Sequence, residues 1–270
     1  MPTLYVVATP IGNLDDISLR ALRTLREVKF IAAEDTRKTK RLLTAYDIKT
    51  SVTSYHEHNK WTKLGYILNR LEGEDVALVS NAGTPGISDP GYELIVAANQ
   101  RGISVVPIPG PSAIITALVI SGLPMDRFSY IGFLPHKTNN RRRLLESLAD
   151  EHGTIVALES PRRLLAALND MLLILGDRRV AVCRELTKIY EEVFRETISQ
   201  AIKHFAEPKG EFTLVFEGKK KRDKPQLTED FERQLHRMRS SGMAAKEAIA
   251  KVAGETGLSR KELYQAWLKL

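Results

Sequence analysis

The stretch Val76-Ala77-Leu78-Val79-Ser80-Asn81-Ala82-Gly83-Thr84-Pro85-Gly86-Ile87-Ser88-Asp89-Pro90-Gly91 decides how the first half of this chain folds. Four apolar residues in a row read as a short buried strand. They run straight into a segment so rich in glycine and proline that neither helix nor strand can continue. The same sentence is written twice more. Residues 4–8 lead into Thr9-Pro10-Ile11-Gly12-Asn13-Leu14, and residues 104–106 lead into Pro107-Ile108-Pro109-Gly110-Pro111-Ser112. Glycine and proline just beyond a strand make tight turns with bare backbone facing outward, and in an open α/β sheet that carboxyl edge is where ligands bind. Three such turns outline a pocket built from backbone, with few ionisable side chains.

Outward from these turns, apolar β-rich runs alternate with amphipathic ones. Strands are expected at 4–8, 30–33, 76–79, 104–107, 130–133, 154–158, 179–183, 193–197 and 211–217. Helical patterns lie at 18–27, 36–46, 60–72, 91–101, 112–121, 140–149, 162–175 and 198–205. This alternation predicts an α/β protein with a largely parallel sheet, the short spacing of the last strands an antiparallel end. Ser18 and Ser112 are placed as helix N-caps. A boundary is expected near Gly122-Leu123-Pro124, giving two α/β lobes, 1–122 and 123–218, with a cleft between them. Residues 219–226 read as a basic linker and 227–270 as a helical tail, with helices at 244–255 and 260–270. Ser259 and Glu262 have capping-box spacing, Gly257 suits a left-handed turn, and Ala253, Gly257, Ser259 and Leu263 stand at helix-turn-helix spacing. A helical hairpin packed on the body or on a partner chain fits the same pattern.

With 43% hydrophobic and 27% charged residues over 270 positions, the composition is that of a soluble globular protein. The single cysteine, Cys183, rules out an internal disulfide and suits a reducing cytoplasm. The N-terminus reads as a first strand rather than a signal peptide, and the apolar run 113–120 is far too short to span a bilayer. The net charge of +7 gathers in Arg141-Arg142-Arg143 near Lys137, in Arg162-Arg163, in Arg178-Arg179 and in Lys219-Lys220-Lys221-Arg222. Such clusters suit a polyanion such as RNA; a solvated basic surface would look the same.

Several chemistries are missing. No Walker-type phosphate loop, no Gly-x-Gly-x-x-Gly after the first strand and no Gly-x-Ser-x-Gly elbow is present. No Cys/His cluster has zinc spacing, and His56 and His58 point to opposite faces of an extended segment, so no metal site is expected. A backbone-lined pocket is compatible with S-adenosylmethionine, whose positive charge disappears as its methyl leaves, because a strongly anionic pocket would hold that ground state too well. Another small molecule would fit the same pocket.

The motifs Thr9-Pro10-Ile11-Gly12-Asn13-Leu14-Asp15-Asp16-Ile17, Ala33-Glu34-Asp35-Thr36-Arg37, Ser54-Tyr55-His56-Glu57-His58-Asn59, the 82–91 turn and the 107–112 turn together resemble the ribosomal RNA small subunit methyltransferase I family. Gly132-Phe133-Leu134-Pro135, Glu159-Ser160-Pro161, Arg184-Glu185-Leu186-Thr187-Lys188 and Lys209-Gly210-Glu211 extend the resemblance over nearly all of residues 4–217. It implies two lobes of tetrapyrrole-methylase type binding S-adenosylmethionine between them, a helix-turn-helix-like tail, a homodimer, and 2′-O-methylation of a cytidine in 16S rRNA of the small ribosomal subunit. Asn81 stands where the family usually has Asp, and Arg162 where it commonly has His.

By the same resemblance the cofactor is expected to touch Ile11, Gly83, Thr84, Pro85, Ile87, Ser112 and Ala113 from the first lobe, and Leu158, Glu211 and Phe212 from the second. A ribose hydroxyl must lose its proton as it attacks. Glu34 or Asp35, beside Arg37, and Glu185 with Lys188 are the candidates for that step. Arg37, Lys137, Arg141, Arg142 and Arg162 are expected to hold RNA. Methylation of a small tetrapyrrole and non-catalytic nucleic-acid binding are the alternatives.

Overall fold

The computed structural model describes residues 2–220 and 228–269, which divide into two compact units at residue 219/220. The basic linker expected over 219–226 lies outside the described residues from 221 onward, as do residue 227, Leu270 and Met1.

The first unit carries two five-stranded sheets. In the first sheet β1 (Thr3–Val7), β2 (Phe30–Ala33), β3 (Ser51–Ser54), β4 (Val76–Val79) and β5 (Ser104–Ile108) run in the order β3-β2-β4-β1-β5, all parallel. Alternate side chains serve opposite faces. Val7, Ile31, Ala33, Ala77 and Val79 pack on α1 (Leu19–Glu27) and α2 (Thr36–Ala45). Leu4, Phe30, Ala32, Val76 and Leu78 pack on α3 (Lys60–Arg70) and α4 (Tyr92–Gln100). With both faces covered the strands read as unbroken apolar runs, which is why the sequence announces them. The exception is β3, an edge strand with the sequence Ser-Val-Thr-Ser and no fully buried side chain, and no strand was expected there. Ser18 caps α1 as expected, its hydroxyl accepting the Ala21 amide at 3.1 Å.

The second sheet, β6 (Phe128–Phe133), β7 (Thr154–Glu159), β8 (Arg179–Arg184), β9 (Glu192–Thr197) and β10 (Phe212–Phe216), runs β6-β7-β10-β8-β9. Only β6 and β7 are parallel, so the antiparallel end is more extensive than a largely parallel sheet implies. One face, including Ile155, Ala157, Val180, Val182, Leu214 and Phe216, packs on α6 (Thr138–Ser147), α7 (Pro161–Leu175) and α8 (Ile198–His204). The alternate residues Val156, Ala181, Cys183 and Val215 meet Ile11, Leu186 and α5 (Ala113–Ile120). Helix α5 follows the last strand of the first sheet in sequence, yet its Ala117 and Leu118 are buried against the second sheet. Residues 1–219 form one compact unit, with that helix in the seam between the two sheets.

The loop after β8 also grips the first lobe. The Thr187 hydroxyl accepts the Asn13 amide at 3.0 Å, and a Cβ on Gly12 would stand 2.5 Å from Lys188 Cγ. Glu185 and Thr187 adopt left-handed backbone, φ 49° and 66°, an uncommon conformation for a β-branched residue such as Thr187.

Arg141, expected on an RNA surface, is 4% exposed. Its guanidinium reaches Asp170 on α7 at 2.6 Å, and Arg142 reaches the other carboxylate oxygen at 2.8 Å. Burial works to raise the Asp170 pKa, but the hydrogen bonds from Arg142 and Arg141 outweigh it and hold the carboxyl below its usual range. The Arg141 pair ties α6 to α7 and leaves that side chain nothing to offer a polyanion.

The second unit is a separate three-helix unit: α9 (Glu229–Ser240), α10 (Ala245–Thr256) and α11 (Arg260–Lys269) around Leu235, Ala248, Val252, Leu263 and Trp267. The first of these helices was not expected; only Leu235 of its twelve residues is buried, so it carries little apolar signal. Gly257 ends α10 in left-handed backbone at φ 72°, and the Ser259 hydroxyl accepts the Glu262 amide at 3.1 Å, both as expected.

Replacing Asp170 by Asn should cost about 3–5 kcal/mol at pH 7, since it strands a buried guanidinium. A depressed carboxyl stabilises the fold above its unfolded pKa of about 4 and stops doing so as pH falls through the folded value. In urea unfolding, the gap between wild type and Asp170→Asn should therefore narrow below pH 4. A gap that is absent at pH 7 would contradict this role.

Candidate active site

The turns after β1 and β4 are stitched edge to edge. Thr9 and Gly83 exchange two backbone hydrogen bonds of 2.9 Å each, and Gly83 does so at φ 78°, which a side chain would resist. The turn after β5 lies against them, with a Cβ on Gly110 only 3.1 Å from the Ala8 Cβ. It ends at Ser112, whose hydroxyl accepts the Ile115 amide at 3.4 Å and so caps α5. The first amides of that helix make a site suited to an anion.

Opposite stand the ends of β7, β8 and β10. Together the two lobes enclose a cavity of about 530 Å³, the size of a small-molecule site. Of the residues expected to touch a cofactor, Ile11, Gly83, Thr84, Ile87, Ser112, Ala113, Leu158, Glu211 and Phe212 line it. Pro85 does not; it is buried within its own turn.

The expectation of few ionisable groups is overturned. Glu34, Asp89, Glu159 and Glu211 line the cavity, with Lys38 the one cation among its lining residues. Burial pushes Asp89 up to about 6, helped by the charge of Glu34 and opposed by the Ser80 hydroxyl. Burial also raises Glu159, against the Ser160 amide and Arg163. Glu159 Oε1 takes hydrogen bonds from Ser160 N and Arg163 Nη2, both 2.6 Å, while its Oε2 is buried without a protein partner, as is Asn81 Oδ1. Two orphaned buried acceptors on lining residues are openings for the donors of a ligand. The amino and hydroxyl groups of S-adenosylmethionine are such donors, and the α5 amides suit its carboxylate. The residues present fit that cofactor.

Glu34 lines the cavity, accepting the Asn81 amide at 3.1 Å. Asp35 is spent as the N-cap of α2, accepting the Arg37 amide at 2.9 Å. Glu185 and Lys188 fit poorly as proton acceptors. The Lys188 ammonium sits 3.0 Å from both Glu185 Oε1 and Glu211 Oε2. Burial opposes its charge, but the bonds to Glu211 and Glu185 prevail and raise its pKa. Burial likewise opposes ionisation of Glu185, yet Lys188 and the Glu211 amide hold its pKa below the usual range. The three form an ionic clamp across the loops after β8 and before β10.

Arg37, with its side chain 88% exposed, and Lys137 and Arg162 are free of burial; Arg142 is half exposed and tied to Asp170. A second hollow that shares Pro161 with the cavity is lined by Arg162 and Lys209. His56 and His58 do not diverge. They lie in a turn with their rings edge to face at 6.0 Å, and no group of three or more metal-ligating side chains occurs among the described residues. Among the lining residues that sequence reasoning passed over, Lys38, Asp89, Tyr130, Phe133 and Glu159 sit within or beside the motifs already singled out.

The chain matches the family described as Tetrapyrrole (Corrin/Porphyrin) Methylases over residues 3–202, and that described as RsmI C-terminal HTH domain over residues 225–270. It is similar to the ribosomal RNA small subunit methyltransferase I of Halalkalibacterium halodurans, 49% identical over 98% of this chain and 94% of that one. To the protein of the same name from Synechocystis it is 48% identical, over 100% of this chain and 99% of that one. Among solved structures it resembles diphthine synthase, with a TM-score of 0.67 at 14% identity over 82% of this chain and 91% of that one. It also resembles uroporphyrin-III-C-methyltransferase from Thermus thermophilus, with a TM-score of 0.56 at 19% identity over 80% and 94%. These last two likenesses bear on the fold alone. Identity near one half along the full length of both sequences bears on more: the chain belongs to the ribosomal RNA small subunit methyltransferase I family.

Proposed function

We propose that this protein transfers a methyl group from S-adenosylmethionine to the ribose 2′-hydroxyl of a cytidine in 16S rRNA of the small ribosomal subunit, as a homodimer in the cytoplasm. The observation that carries the reading is the turn-built cavity walled by both lobes, in a chain of this family. When bound, S-adenosylmethionine supplies a methyl carbon on a cationic sulfur. The α5 amides would hold its carboxylate end, and Asp89, on the cavity wall, would take its cationic amino group. Arg163 paired with Glu159 and Lys188 paired with Glu211 offset part of the negative charge of the walls, which answers the objection that an anionic pocket overstabilises the sulfonium. Glu34, on the cavity wall, is the carboxylate placed to take the hydroxyl proton, and Lys38, one turn along α2, is placed for a neighbouring phosphate. Arg37, Lys137, Arg142 and Arg162 extend that hold over the RNA backbone. A propionate-rich tetrapyrrole would meet four carboxylates and one lysine in the same cavity, an unfavourable pairing.

The homodimer draws support from Ile115 and Val119, which lie one turn apart on α5 and are 48% and 59% exposed. A second copy covering that stripe would bury it. The cytoplasmic part rests on the lone cysteine, buried and with its thiol pushed up to about 12 by that burial.

Incubation with radiolabelled S-adenosylmethionine and small subunits from a strain lacking the activity should place label on a cytidine ribose after nuclease digestion. Cofactor binding without transfer would remove the RNA substrate from the reading. Sedimentation of the same preparation tests the dimer, and a monomer would remove that part.

Calorimetry across pH tests the site itself. Affinity for S-adenosylmethionine should be level above pH 7 and fall as pH drops through about 6, where Asp89 takes up a proton. Asp89→Asn should weaken binding roughly 10- to 100-fold at pH 8, the scale of a charged hydrogen bond, and abolish the step near pH 6. A step that survives in Asp89→Asn would assign it to another group.

A further inference from the structure

Phe133 is an anomaly: an aromatic side chain that lines the cavity and yet is 55% exposed. Its position is set by a fault in the sheet. β6 pairs with β7 as Phe128↔Thr154, Ser129↔Ile155 and Tyr130↔Val156, and the next pair is Phe133↔Leu158. Three steps on β6 thus match two on β7, a bulge. Gly132 sits in it at φ 70°, and a Cβ there would meet nothing within 4 Å, so the glycine answers a demand of backbone conformation rather than of space. In a regular strand, residues three apart point to opposite faces. The bulge cancels that alternation, and Tyr130 and Phe133 line the same cavity.

The two rings differ in freedom. Tyr130 is tied across the cleft, its hydroxyl bonded to Ser88 in the turn after β4. Phe133 makes no such bond and keeps its ring open to solvent at the rim. Ile87, from the first lobe, also lines the cavity and is 53% exposed. Lys38 lines the same cavity. An uncovered aromatic ring, an aliphatic group from the other lobe and a nearby cation are what an unstacked nucleobase and its phosphate need.

We infer that Phe133, aimed by the Gly132 bulge, is the platform on which the target nucleobase stacks when its ribose enters the cavity. The inference deepens the proposed ribose methylation and rests on it. Phe133 acts on the substrate by position; it moves no proton.

The test uses the full chain and compares Phe133→Ala, Phe133→Leu, Phe133→Trp and Gly132→Ala. Two quantities are read: kcat/KM for small ribosomal subunits, and S-adenosylmethionine affinity by calorimetry. Phe133→Ala and Phe133→Leu should each lower kcat/KM about 10-fold or more, the scale of one lost base–aromatic stack. Phe133→Trp should stay near wild type, and Gly132→Ala should fall with the alanine variant. Cofactor affinity should be unchanged throughout, which also verifies that each variant is folded. Wild-type behaviour of Phe133→Leu would reduce the ring to an apolar rim and overturn the inference. Cofactor affinity falling in step with kcat/KM would assign the ring to the cofactor and overturn it too. A wild-type protein that labels no cytidine ribose would instead sink the parent reading.

Discussion

Everything at the active site depends on one apolar seam. Ile11, Ala117, Leu118, Val156, Ala181, Val215 and Leu186 bring the back of the second sheet against α5 and the first turn. Such contacts are non-directional and scale with area, so they fix the spacing of the sheets without choosing any chemistry. Chemistry enters at the edge of the seam, where turns from both sheets stop short of each other and leave the cavity. The grip of Thr187 on Asn13 and the Lys188 clamp on Glu185 and Glu211 set its far corner. Left-handed backbone at Glu185 and Thr187 is the sort of local strain that a well-packed surround sustains.

The second constraint is charge. Four carboxylates around a cationic methyl donor would bind it too well in their ionised forms. Ion pairing answers this, with Arg163 held on Glu159 and Lys188 on Glu211, so that the wall carries less net charge than its carboxylate count suggests. Lys38 lines the pocket, Arg163 and Lys188 reach it through Glu159 and Glu211, and Arg37, Lys137 and Arg162 lie exposed outside it. Arg141 is spent away from the pocket: deep burial beside Asp170 makes it a rivet between helices.

How much of this was legible follows from where the information sits. Strands covered on both faces declare themselves as apolar runs, and the glycine-proline turns beyond them mark the carboxyl edge, so both lobes could be placed from residues alone, and nine of the ten residues that the family resemblance named line the cavity. Strand β3 and helix α9 escaped because an edge strand and a sparsely buried helix bury too little to leave a pattern. The fate of Arg141 depends on Asp170, the pKa of Asp89 on burial and then on Glu34, and the clamp on Glu211; each of these partners is distant in sequence and is met only in the fold. The exposure of Phe133 depends on a register shift against β7, which no local pattern announces.

The central claim is that one site is shared across the seam. Hydrogen exchange of the full chain, with and without S-adenosylhomocysteine, tests it most directly. The account predicts joint slowing in residues 9–14, 81–91 and 112–116 of the first lobe and in residues 158–161 and 211–213 of the second. Slowing confined to one lobe would contradict it.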